Sequence, residues 1–139
     1  KIGFYLCVDC YRKVEFVEAK VEDYLATASD FDFIILDPPK LAPTEKSLGR
    51  AKQKYIKLNT LAMRALPENG LLLTCSCSNA LSEEMFVYLL KVAAKKAGRE
   101  LSIIKKMNAA PDHPFLEKSK YGNYLKVVLM SVSLSKQSI

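Results

Sequence analysis

Apolar residues fall along this chain in two rhythms, one of period two and one near 3.6. Val14 to Ala19 alternates apolar and polar positions and predicts a short strand, and 21–28 reads as one or two helical turns. Phe31 to Asp37 and Gly70 to Thr74 are continuous apolar runs, as parallel strands buried on both faces are. Between them, Pro38 to Ser47 predicts a loop. Ala51, Tyr55, Leu58, Ala62 and Ala65 then recur at helical spacing over 48–66, until the turn Pro67-Glu-Asn-Gly70. Ser82 is a fitting N-cap, followed by Glu83 and Glu84 where acids suit the helix dipole. That helix carries Met85, Phe86, Leu89, Leu90 and Ala93 and stops at Gly98. A strand over 101–104, a loop over 108–122 and a strand over 124–134 complete the chain.

The order β-α-β-α-β-α-β-loop-β implies an α/β fold with a mainly parallel sheet and helices on both faces. No helix separates the last two strands, so they are expected as an antiparallel pair at one edge. No internal repeat or low-complexity tract interrupts the pattern.

The 139 residues, half of them hydrophobic, suit one globular domain. Net charge is +6, from 21 Lys and Arg against 15 Asp and Glu, which favours an acidic partner such as nucleic acid. No apolar stretch approaches the roughly 20 residues of a membrane span, and the opening residues are too quickly polar for a signal peptide. The four cysteines are then read as reduced thiols and the cytoplasm as the expected compartment.

The candidate chemistry sits where both apolar runs end. Open α/β sheets bind ligands beyond the carboxyl ends of their strands, and here one run delivers Asp37-Pro38-Pro39-Lys40 and the other Thr74-Cys75-Ser76-Cys77. Cys77 is a candidate nucleophile, against the common alternative of an inert buried thiol. Asp37, stiffened by the prolines after it, suits holding a ring nitrogen or an amine, although a carboxylate capping loop amides fits equally well. Asp-Pro-Pro followed by an aromatic residue serves amino-group methylation in nucleic-acid methyltransferases, but Lys40 supplies no stacking face. Cys7 and Cys10 have metal-ligand spacing; Cys75 and Cys77 follow a buried strand rather than a turn, so no metal site is assigned. His113, the only histidine, stands between prolines in a stiff loop that is either solvent-facing or site-lining. Of the lysine runs, Lys46-Arg50-Lys52-Lys54-Lys57 is the best RNA candidate because it follows the Asp37 loop.

These residues resemble a family, the S-adenosylmethionine (SAM)-dependent cytosine-5 methyltransferases of large-subunit ribosomal RNA, which have a Rossmann-like class I sheet. The resemblance rests on Leu36-Asp-Pro-Pro-Lys40, Tyr55-Ile-Lys-Leu-Asn59 with Leu61-Ala62, Asn69-Gly70 and Thr74-Cys-Ser-Cys-Ser78. Ala110-Pro-Asp-His-Pro114 and Tyr124-Leu-Lys126 extend it. It implies that Cys77 attacks C6 of a cytosine flipped from its stack while Asp37 holds the base at its N3/N4 edge. It further implies cofactor contacts from Asp37, Pro38 and Pro39, and substrate contacts from Lys40, Thr74, Ser76 and His113. Cys75 is expected to be dispensable.

The chain also departs from the family. The glycine-rich SAM turn and the acid after the second strand have no counterpart, and Ala19-Lys20 stands where an acid near the adenine is expected. Related enzymes carry a second cysteine where this chain has Lys40. Residues 1–13 are accordingly read as a remnant of the N-terminal and SAM-motif region, and 14–139 as the C-terminal part of a truncated methyltransferase domain. The expected partners are ribosomal RNA, no membrane, and a second copy of the chain if a homodimer rebuilds the pocket. Alternative readings are a noncatalytic RNA-binding remnant and an amino-group methyltransferase using Asp37-Pro38-Pro39.

Overall fold

A computed structural model describes residues 16–29, 31–109 and 124–135. The elements are α1 (Val21–Thr27), β1 (Phe33–Leu36), α2 (Leu48–Ala65), β2 (Gly70–Ser76), α3 (Glu83–Ala97), β3 (Arg99–Met107) and β4 (Lys126–Leu134), with a single 3-10 turn at Glu45–Ser47. The four strands lie in the order β1-β2-β4-β3. β1 and β2 are parallel, as their crossover through α2 requires, with Leu36 beside Thr74. β4 runs antiparallel to both β2 and β3, so the last two strands pair as expected and β4 is the inner member.

Three expectations change. The sheet foreseen as mainly parallel has, among the described residues, one parallel pairing (β1 with β2) and two antiparallel ones, because β4 enters between β2 and β3. The strand foreseen over 14–19 is not formed across 16–20, where Ala19 makes only an isolated bridge; Val14 and Glu15 lie outside the described residues. Helices on both faces were also foreseen, yet burial alternates strictly along β1 and β4. Ile34, Leu36, Leu72, Val128, Met130 and Val132 are buried in one core with α2 and α3. Phe33 and Ile35, on the opposite face, are 45% and 52% exposed. Among the described residues, the helices cover one face only.

Local chemistry fixes the ends. The Ser82 hydroxyl accepts from the Met85 amide and opens α3, and Gly98 closes it at φ 71°, a left-handed conformation that costs a residue with a side chain about 1 kcal/mol. Tyr55 of α2 meets Phe86 of α3 edge to face with ring centroids 5.5 Å apart, and both are almost fully buried. α1 is tied to α2 by an ion pair between Glu22 and Lys54.

Candidate active site at the strand ends

The register that pairs Leu36 with Thr74 brings Asp37, one step on, level with Cys75. Alternation carries Asp37 to the same open face as Phe33 and Ile35, and its side chain is exposed. Pro38 is buried beneath it, whereas Pro39 and Lys40 are exposed. On β2 the alternation continues past the last paired residue. Thr74, Ser76 and Ser78 are fully buried on the helix side, and Cys77, between two sealed serines, is half-exposed.

A buried polar network holds this end of β2. The Tyr55 hydroxyl lies 2.9 Å from Ser76 Oγ and 3.1 Å from Ser78 Oγ. The Ser78 amide donates to Ser76 Oγ at 3.4 Å, and Ser78 Oγ accepts the Ala42 amide of the Asp37 loop at 3.0 Å. Lys126, directly across the ladder from Ser76 and only 3% exposed, donates from Nζ to the carbonyl oxygens of Ser78 at 2.7 Å and Tyr124 at 2.9 Å. No carboxylate pairs with this ammonium among the described residues.

Burial sets the protonation of the groups around Cys77. It pushes the Cys75 thiol up to about 11, with the negative charges of Asp37 and Cys77 adding to the effect. The Tyr55 hydroxyl is likewise raised by burial, against the hydrogen bonds from Ser76 and Ser78. Lys126 is lowered, first by burial and then by the like charge of Lys40, while Cys77 acts in the opposite sense. Cys75 is therefore held as a neutral thiol at physiological pH. A half-exposed sulfur and an exposed carboxylate remain at the ends of adjacent parallel strands.

Several predicted site residues are brought together and others are not. Asp37, Pro38, Pro39, Lys40 and Cys77 converge on the ends of β1 and β2. Thr74 and Ser76 were expected to contact substrate, but their inward parity seals both beneath α2, at 0% exposure. His113, Cys7 and Cys10 lie outside the described residues. In the basic run, Lys54 is engaged with Glu22 rather than displayed for RNA. Among the described residues, no group of three or more His, Cys, Asp or Glu could hold a metal ion.

Sequence reasoning missed Tyr55, Ser78 and Lys126 as site residues. A signal existed for two of them. Lys126 shares the inward parity of Val128, Met130 and Val132, and Ser78 that of Thr74 and Ser76.

For a SAM-type cofactor the described residues offer a partial lining only. Exposed Asp37 and Pro39 over buried Pro38 offer one carboxylate on a stiff turn at the end of β1. The described glycines serve elsewhere: Gly49 in α2, Gly70 at the start of β2 and Gly98 at the end of α3, so none forms a phosphate-type or cofactor turn at a strand end.

No family model matches the chain. It is 40% identical over 124 residues to ribosomal RNA large subunit methyltransferase I of Pseudoalteromonas atlantica, covering 86% of this chain and 31% of that protein. It is 38% identical over 118 residues to the protein of the same name from Escherichia coli O1:K1, covering 82% and 30%. The structure superposes on SMU.776, assigned as a methyltransferase and solved with SAH, with a TM-score of 0.67 at 24% identity over 81% of this chain and 30% of that one. The fold is a partial Rossmann-like methyltransferase sheet. The chain spans about a third of the length of the curated relatives it matches. Among its described residues, no helix is long and apolar enough to cross a membrane.

Proposed function

We propose that this chain is the substrate-side part of a SAM-dependent methyltransferase that acts on cytosine C5 of ribosomal RNA. The observation that carries the reading is that exposed Asp37 follows β1 and partly exposed Cys77 follows β2, two parallel neighbouring strands. The curated relatives, named as large-subunit ribosomal RNA methyltransferases, support methyl transfer to that RNA.

In this reading the Cys77 thiolate forms a bond to C6 of a base drawn out of its stack, and the C5–C6 π electrons move onto C5. Asp37 holds the N3/N4 edge and, protonated as the base binds, donates its proton to N3, which neutralises the negative charge that attack at C6 puts on the ring. Bound SAM supplies the methyl group that C5 accepts. With S-adenosylhomocysteine as the leaving group of the methyl transfer, the C5 proton passes to water, its bonding pair restores the C5–C6 double bond, and the S–C6 bond breaks to return the Cys77 thiolate. Asp37, Pro38 and Pro39 would hold the cofactor, and Lys40 would meet the RNA backbone beside it. Cys75, neutral and buried, takes no part.

The test combines calorimetric titration with SAM and transfer of labelled methyl groups to ribosomal RNA. The reading expects saturable SAM binding and transfer that Cys77→Ala abolishes and Cys75→Ala preserves. Transfer that survives Cys77→Ala would favour amino-group methylation through Asp37-Pro38-Pro39. RNA binding without SAM binding would leave a noncatalytic RNA-binding chain.

A further inference from the structure

Cys77 occupies a short turn in which its two neighbours, not its own side chain, are anchored. Ser76 and Ser78 are both completely buried, and both approach one hydroxyl, that of Tyr55, at 2.9 and 3.1 Å. The far side of the turn is fixed by Lys126 Nζ, which donates to the Ser78 carbonyl at 2.7 Å. Ser78 Oγ also accepts the Ala42 amide, so the turn bearing the sulfur is joined to the loop that follows Asp37. Three separated stretches of chain (α2, the Asp37 loop and β4) meet at one serine.

We infer that Tyr55 and Lys126 are positioning residues that clamp the 76–78 turn and thereby fix the Cys77 sulfur relative to the Asp37 carboxylate. This rests on the reading of Cys77 as the nucleophile. Neither residue touches the reacting atoms. The clamp acts by removing the freedom of the turn in advance, because a nucleophile held in one geometry reacts faster than one that samples several. A buried phenol and a buried ammonium suit the task, since hydrogen bonds to them are strong where water is excluded. Unpaired, each would be costly to bury, so the network holds together as a unit.

Tyr55→Phe tests the clamp, because it deletes one oxygen and keeps the ring packed on Phe86. Amide hydrogen exchange and iodoacetamide labelling are read site by site through peptide mapping. Exchange at Cys77 and Ser78 should rise about tenfold or more, beyond any change at Leu90 and Ala93 in α3. Labelling of Cys77 should quicken by about threefold or more as the loosened turn exposes its sulfur, while Cys75, fixed within the ladder, serves as internal control. Lys126→Met should act alike, and Lys126→Arg, which keeps N–H donors, should recover much of the protection.

If Cys77 and Ser78 change no more than Cys75 and α3, Tyr55 is a packing residue and the inference fails. Failure of the nucleophile reading would appear differently, as methyl transfer that survives Cys77→Ala whatever these rates are.

Discussion

Lys126 Nζ donates to the Ser78 carbonyl at 2.7 Å across 48 residues of sequence, joining the first residue of β4 to the turn after β2. The ammonium is buried and lowered from its ordinary pKa by that burial. Lys126→Met relieves the desolvation of the charge but leaves the carbonyls of Ser78 and Tyr124 without this donor. The Ser78 carbonyl keeps the Leu81 amide as donor at 3.2 Å, so the loss falls mainly on the Tyr124 carbonyl, and losing a donor to a buried acceptor costs about 1–3 kcal/mol, which outweighs the relief. Urea unfolding should show a lowered midpoint with an unchanged slope. A midpoint equal to that of the parent chain would mean that water satisfies the Tyr124 carbonyl and that the Leu81 amide suffices for Ser78.

Stability should fall on the alkaline side, and Cys75 should contribute to the fall. Its pKa rises from 9.0 to about 11 on folding, so the folded chain keeps a proton that the unfolded chain releases. That stability is fully present below the unfolded value and is lost as pH climbs through the window from 9.0 to about 11. Tyr55, also raised by burial, acts in the same direction at higher pH, and Lys126, lowered, opposes both. Cys75→Ala removes one contributor, so its urea midpoint should decline less than that of the parent chain between about pH 8 and 11. Parallel declines would show that Cys75 ionises as easily folded as unfolded.

The two described thiols should differ in reactivity although one residue separates them. Cys75 is 8% exposed with a pKa near 11, which leaves about one part in a thousand as thiolate at pH 8. Cys77 is half-exposed on the open side of the turn. Iodoacetamide at that pH should label the Cys77 position at least about tenfold faster than Cys75. Equal rates would remove the reason to prefer Cys77.

Much of this site was legible in the sequence because period-two burial and strand-end chemistry are local signals. Leu36-Asp37 and Thr74-Cys75 mark the ends of β1 and β2, and the structure places them side by side. The helical spacing of Ala51, Tyr55, Leu58 and Ala62 likewise marks the face of α2 that is buried. The burial of Thr74 and Ser76 was missed because their chemistry outweighed their parity; each shares its face with Leu72, which is wholly buried. The role of Tyr55 could not be read locally, because its partners lie 21 and 23 residues away and a tyrosine at a core position looks like packing. The covering of one sheet face only was hidden for a related reason. Phe33, Ile35 and Leu71 are apolar like their buried neighbours, so composition does not distinguish the two faces.

Packing between α2 and α3 should weigh more on stability than any surface ion pair. Phe86 is fully buried and its ring meets Tyr55 edge to face at 5.5 Å. Truncation to alanine removes the ring's contacts and leaves a cavity beside Tyr55, so Phe86→Ala should cost about 3–5 kcal/mol. Glu22→Gln, by contrast, breaks the pair with Lys54 at a site where the lysine side chain is 40% exposed. That pair holds the Glu22 carboxyl below its usual range, chiefly through the Lys54 hydrogen bond, but solvent screening limits its contribution to under about 1 kcal/mol. Urea midpoints measured on both variants should therefore rank Phe86→Ala far below Glu22→Gln, and added salt should narrow only the Glu22→Gln difference from the parent chain. The reverse ranking would mean that α1 and its ion pair, rather than the Tyr55–Phe86 contact, anchor α2 over the sheet.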